Sequence, residues 1–101
     1  MNMYVCTTCT AQSAEFVDEA RAALPHLTVS AVDCMSGCAR AQTVAFRAKG
    51  KVAYLFGEIT SADLPVLETF SKLYDASNDG TFSDARVLGA LRTKAIARIP
   101  A

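Results

Sequence analysis

The run MYVCTTCTAQSAEFVDEARAALPHLTVSAVDC, residues 3–34, reads as strand, loop, helix and strand. Met3 to Cys6 form a short apolar stretch, and Phe16, Val17, Ala20 and Leu24 recur at helical spacing behind Ser13, a suitable N-cap. Pro25 stops the helix. Leu27, Val29, Ala31 and Val32 then form a second apolar stretch with β-branched content that runs into Asp33 and Cys34. Such a βαβ unit closes with a right-handed crossover, which sets the two strands parallel and brings their carboxyl ends to one edge of the sheet. Cys6 ends the first strand and Cys34 the second, while Cys9 and Cys38 follow in the loops leaving that edge. All four sulfurs are therefore expected to converge where open α/β sheets bind ligands.

Outward from this unit, Val44, Phe46 and Ala48 alternate with Thr43, Ala45 and Arg47. Val52, Tyr54 and Phe56 repeat the alternation after Lys49-Gly50-Lys51, which predicts a hairpin with a glycine turn. Leu64, Leu67, Phe70 and Tyr74 form a helical stripe, with Thr60 and Asp63 placed for a capping box and Pro65 in the first turn. Ser77-Asn78-Asp79-Gly80 breaks that helix. A short helix is expected from Ser83 onward, before Ala97-Arg98-Ile99-Pro100. The order of elements predicts a single α/β domain over residues 1–101, with 81–101 as a C-terminal extension.

One hydrophobic core suits 101 residues, since a chain of this size buries roughly 60 to 70% of its unfolded surface. Ten Lys plus Arg balance ten Asp plus Glu, and 51% of residues are hydrophobic. That balance gives no case for a nucleic acid or membrane partner. No run approaches the roughly 20 apolar residues of a membrane span, and the first residues lack the pattern of a secretory signal, so a cytoplasmic protein is expected. The tail carries Arg86, Arg92, Lys94 and Arg98 without an acid, against an acidic stretch from Glu58 to Asp84. The plainest reading sets the basic tail against that acidic region or in solvent; a docking patch for an acidic partner is the other.

Cys6-Thr7-Thr8-Cys9 and Cys34-Met35-Ser36-Gly37-Cys38 carry the chemistry. In a reducing compartment, paired cysteines read as ligands before they read as disulfides. Four thiolates hold one zinc ion or one iron-sulfur cluster. A thioredoxin-like dithiol would need only Cys6 and Cys9, and would leave Cys34 and Cys38 without a role. His26 falls at the opposite end of the βαβ unit and is read as an ordinary loop histidine. Asp75 to Arg86 has the start of a calcium loop, but Arg86 stands where a bidentate Glu is required, so the segment is read as a turn.

The C-x3-C segment Cys34 to Cys38, with Cys6 and Cys9 upstream and a hairpin and helix downstream, resembles the thioredoxin-like 2Fe-2S ferredoxins over residues 3 to 75. That family usually separates its first two ligands by four or more residues, whereas here they are separated by two. Over the whole chain the sequence is similar to a small bacterial family of predicted metal-binding proteins. The shared features are the early C-T-x-C, the C-x3-C, Gly50-Lys51 before Tyr54, Phe56-Gly57 and Arg98-Ile99-Pro100. Some members are encoded near cobalamin biosynthesis genes. The resemblance implies a thioredoxin-like fold, a 2Fe-2S cluster on Cys6, Cys9, Cys34 and Cys38, and an electron carrier rather than an enzyme. It also implies a redox partner protein, with a step in cobalamin biosynthesis as one setting and a homodimer as one assembly.

Under that reading, backbone amides at Ser36 and Gly37 and hydroxyls of Thr7, Thr8 and Thr10 are placed to donate to sulfur. For the threonines, loop solubility or helix capping is the plainer role. Arg40, Arg47, Lys49 and Lys51 offer a basic rim, read first as a solvated hairpin surface and second as a dock for an acidic redox partner. The alternatives to the ferredoxin are a zinc-binding structural or binding module and the Cys6/Cys9 dithiol oxidoreductase.

Overall fold

The computed structural model describes residues 2–7, 13–32, 42–82 and 85–100. Strand β1 (Asn2–Cys6) leads to helix α1 (Ser13–Ala23) and strand β2 (Thr28–Val32). Strands β3 (Val44–Arg47) and β4 (Ala53–Phe56) form the hairpin, helix α2 (Leu64–Ala76) follows, and strand β5 (Ala95–Ile99) closes the chain. The sheet order is β2-β1-β3-β4-β5. β1 and β2 are parallel, with Cys6 opposite Val32, whereas β3, β4 and β5 each run antiparallel to the strand before them in that order. This is the expected α/β, thioredoxin-like arrangement, with one more strand at its edge.

Alternation sends Met3, Val5, Val29, Val44, Phe46, Tyr54 and Phe56 to one face, where they meet Phe16, Val17 and Ala20 of α1 and Leu67, Phe70 and Tyr74 of α2 in a single core. Aromatic rings fill its centre, with Phe70 packed edge-on against Phe46 at 4.8 Å and against Phe56 at 5.1 Å. The Tyr54 hydroxyl donates to the Gly80 carbonyl at 2.6 Å, and that of Tyr74 to the Val52 carbonyl at 2.6 Å. These bonds satisfy the polar ends of two rings that the core encloses. Burial pushes both phenols above their ordinary pKa.

The hairpin turns at Gly50, whose φ of 76° lies in the left-handed region. Lys51 leaves the basic rim expected of it. Its ammonium donates to the carbonyls of Tyr74 (2.7 Å) and Asp75 (3.0 Å), capping the C-terminus of α2. At the other end of α2, a 3-10 turn over Ser61–Asp63 precedes Leu64 and Pro65. The Asp63 carboxylate reaches back to the Thr60 N–H at 2.8 Å, the return half of the expected capping box.

The tail differs from expectation. Residues Ala85–Thr93 form 3-10 turns that kink at Gly89, and β5 then pairs with β4 where the sequence suggested only a short helix and an irregular end. The turns bury Leu88 and Leu91 in the core. Lys94 pairs with Asp63 at 2.7 Å and donates to the Glu58 carbonyl at 2.8 Å, so one basic residue of the tail does lie against the acidic region. Among the described residues, no helix is long and apolar enough to cross a membrane.

Candidate metal or cluster site

Cys6 closes β1, is fully buried, and shares the parity of Asn2 and Tyr4 rather than that of the core residues Met3 and Val5. Cys9, Cys34 and Cys38 lie outside the described residues, as do Thr8, Thr10, Ser36, Gly37 and Arg40. The framework from which their segments depart and to which they return is described in full.

Both segments start at Thr7 and Val32. The Thr7 N–H donates to the Val32 carbonyl at 2.8 Å, and its hydroxyl donates to the same oxygen at 3.0 Å. That hydroxyl proton is therefore directed to a carbonyl, which corrects its assignment as a donor to sulfur. Both segments end at Ser13 and Gln42. The Ser13 hydroxyl donates to Gln42 Oε1 at 2.5 Å, which ties α1 to the chain entering β3. Gln42 Nε2 donates to the Cys6 carbonyl at 2.6 Å and to the Thr43 carbonyl at 3.0 Å. A further bond runs from the Cys6 N–H to the Thr43 carbonyl at 3.2 Å.

These bonds form one buried network, with Ser13 1%, Gln42 6% and Thr43 0% exposed. Gln42 uses its amide oxygen and both of its N–H donors, which is what a buried amide requires. The ends of the two cysteine-bearing segments are thus held together in pairs, starts with starts and ends with ends, at one edge of the sheet. The sequence marked the cysteines but not Gln42, because nothing local distinguishes a glutamine whose partners stand 29 and 36 residues away.

The other polar candidates are accounted for elsewhere. His26 Nε2 lies 3.0 Å from Ser71 Oγ, at the end of β2 remote from Cys6. The Asp79 carboxylate accepts from the Thr81 hydroxyl (2.6 Å) and N–H (3.0 Å), bonds that hold it below the usual carboxylate pKa and close a turn.

A family model described as "Protein of unknown function (DUF1636)" matches residues 3–101, from β1 to the last residue. The chain belongs to this family. The DUF1636 match takes in the tail that the ferredoxin likeness leaves out, and so includes β5. Neither a curated protein nor a solved structure matches the chain.

Proposed function

We propose that Cys6, Cys9, Cys34 and Cys38 hold one 2Fe-2S cluster at the carboxyl edge of β1 and β2, and that the protein carries electrons for a redox partner. The observation that carries this reading is the paired anchoring of the two cysteine-bearing segments. A site assembled from two loops needs their ends fixed relative to one another, and the bonds through Thr7, Ser13 and Gln42 do that. The described part of the donor set fits such a group: a fully buried thiol at a strand end, outside the helix-side core, on a residue whose backbone is held by Gln42 and Thr43. When bound, the cluster supplies reversible one-electron transfer. The chain's own part is to present the sulfurs, limit water at Cys6 and fix the ends of the two segments through Thr7, Ser13 and Gln42.

Zinc in the same four thiolates is the second reading, and the two-residue spacing of Cys6 and Cys9 favours it. The dithiol reading draws less support. Cys6 is fully buried at the end of β1, which denies it the access that an attacking thiol needs.

Anaerobic purification followed by metal and sulfide analysis separates these readings. About two irons and two acid-labile sulfides per chain, with visible absorption bleached by reductant, is the expected result. One zinc in a colourless protein would replace the cluster with a structural clamp. Disulfide reductase activity surviving replacement of Cys34 and Cys38 by serine would favour the dithiol.

A further inference from the structure

The helices cover one face of the sheet, and the other carries a groove of about 830 Å³ with no cysteine in its described lining. Its floor is made of apolar side chains, Ala45, Ala53 and Leu55, half-buried on β3 and β4. Tyr4 and Val32 bound one side, and Ile99, 55% exposed, bounds the other. At the hairpin end stand Arg47 and Lys49. No carboxylate lines the groove among the described residues.

The charge is informative because the chain as a whole is neutral and most of its described cations are engaged. Lys51 caps α2, Lys94 pairs with Asp63, Lys72 pairs with Glu68, Arg21 donates to the Val29 carbonyl, and Arg98 lies over the Tyr54 ring. Arg47 and Lys49 are exposed, and neither pairs with a described carboxylate. Two uncompensated cations at the end of an apolar floor select a ligand with a negative head and an apolar body. The volume falls within the range of roughly 300 to 1,000 Å³ typical of small-molecule sites.

We infer that this face binds a small organic anion whose flat apolar body lies on Ala45, Ala53 and Leu55 and whose carboxylate, sulfonate or phosphate meets Arg47 and Lys49. The inference goes beyond the cluster reading, and its test reads ligand binding rather than what the cysteines hold.

Anilinonaphthalene sulfonate, an aromatic anion of this shape, is the probe, and neutral N-phenylnaphthylamine is its uncharged counterpart. Fluorescence titration of the folded protein is expected to show one saturable sulfonate site per chain. The double variant R47E/K49E should weaken it at least about tenfold, while N-phenylnaphthylamine binding stays unchanged. R92E makes a charge reversal at another exposed residue and should leave both affinities as they were. L55E, which fills the floor and sets a negative charge on it, should weaken both probes. Near-ultraviolet circular dichroism of each variant certifies that the fold is retained, and an unfolded variant is replaced by R47Q/K49Q with the same expectation. Absence of a saturable site, equal losses in R92E and R47E/K49E, or sedimentation as a dimer whose interface L55E disrupts would overturn the assignment. Capture of only an acidic protein, with no small anion bound, would overturn it too.

Discussion

Gly80 and Gly50 have nearly the same backbone, with φ of 78° and 76°, yet only one of them is sterically confined. A Cβ at Gly80 would stand 2.9 Å from Tyr74 Cε1 and 2.9 Å from the Val52 nitrogen, whereas at Gly50 it would meet nothing within 4 Å. Neither neighbour of Gly80 can yield easily. Val52 N–H is bonded to the Asp79 carbonyl, and the Tyr74 ring is held through its hydroxyl to Val52. G50A is therefore expected to lose about 1 kcal/mol for its left-handed conformation. G80A should lose about 2–4 kcal/mol because overpacking adds to the same term. Urea denaturation of both variants checks this, and equal losses would show that the contact at Gly80 relaxes.

Asp63 supplies a second test at the same scale. Burial alone would raise its pKa, but the hydrogen bond from Lys94, the Thr60 N–H and the Lys94 charge outweigh that and hold it below the usual carboxylate range. A depressed folded pKa stabilises the fold above the unfolded value, near 3.9, and the contribution is lost as pH falls through the folded pKa. D63N should be about 1–2 kcal/mol less stable than wild type at neutral pH. The gap should close in the acid range below about pH 4, and a gap that persists there would remove the carboxylate charge as its source.

Elements were read from the sequence where their signals are local. An apolar run identified β1 and alternation identified β3 and β4, while the stripes Phe16 to Leu24 and Leu64 to Tyr74, with Pro25 and Pro65 as punctuation, identified the helices. Ala95-Ile96-Ala97-Arg98-Ile99 carries two alanines and has no Gly, Pro, Asn or Asp immediately before it to announce a turn. It becomes a strand because the free edge of β4 offers a ladder, a fact held in tertiary structure alone. Gln42 was hidden for the same reason, since both of its long-range partners belong to other elements. Its removal tests how α1, β1 and β3 jointly frame the candidate site. Q42A would remove one donor each from the Cys6 and Thr43 carbonyls and the acceptor of the Ser13 hydroxyl, at a loss of about 2–4 kcal/mol. If the frame positions the cysteines, Q42A should also reduce metal or cluster occupancy under conditions where the protein is still folded. A remote variant of matched stability loss, such as G80A, should retain it. Equal occupancy in the two would make Gln42 a purely structural residue.

At the scale of the molecule, β5 finishes a sheet whose preceding part already has the thioredoxin-like order, and the family match runs through it to residue 101. A four-stranded sheet ending at β4 would expose the backbone groups of Ala53 to Phe56 next to Tyr54 and Phe56, two of the core aromatics. Unpaired edges flanked by aromatic residues recruit other strands. Truncation after Lys94 keeps Leu88, Leu91 and the Lys94–Asp63 ion pair, and so removes the edge cover while leaving the core-filling turns. The truncated chain should lower the thermal midpoint by roughly 10 °C or more, equivalent to about 2 kcal/mol or more for a domain of this size. It should also self-associate with concentration in sedimentation velocity. A lysine at Leu55, whose side chain leaves the sheet on its open face, should not reverse that association, because pairing runs through the backbone. Proline in its place, which removes an N–H within β4, should diminish it. A truncated protein that stays monomeric with an unchanged midpoint would mean that the β4 edge is protected without β5, and that the tail serves the groove rather than the sheet.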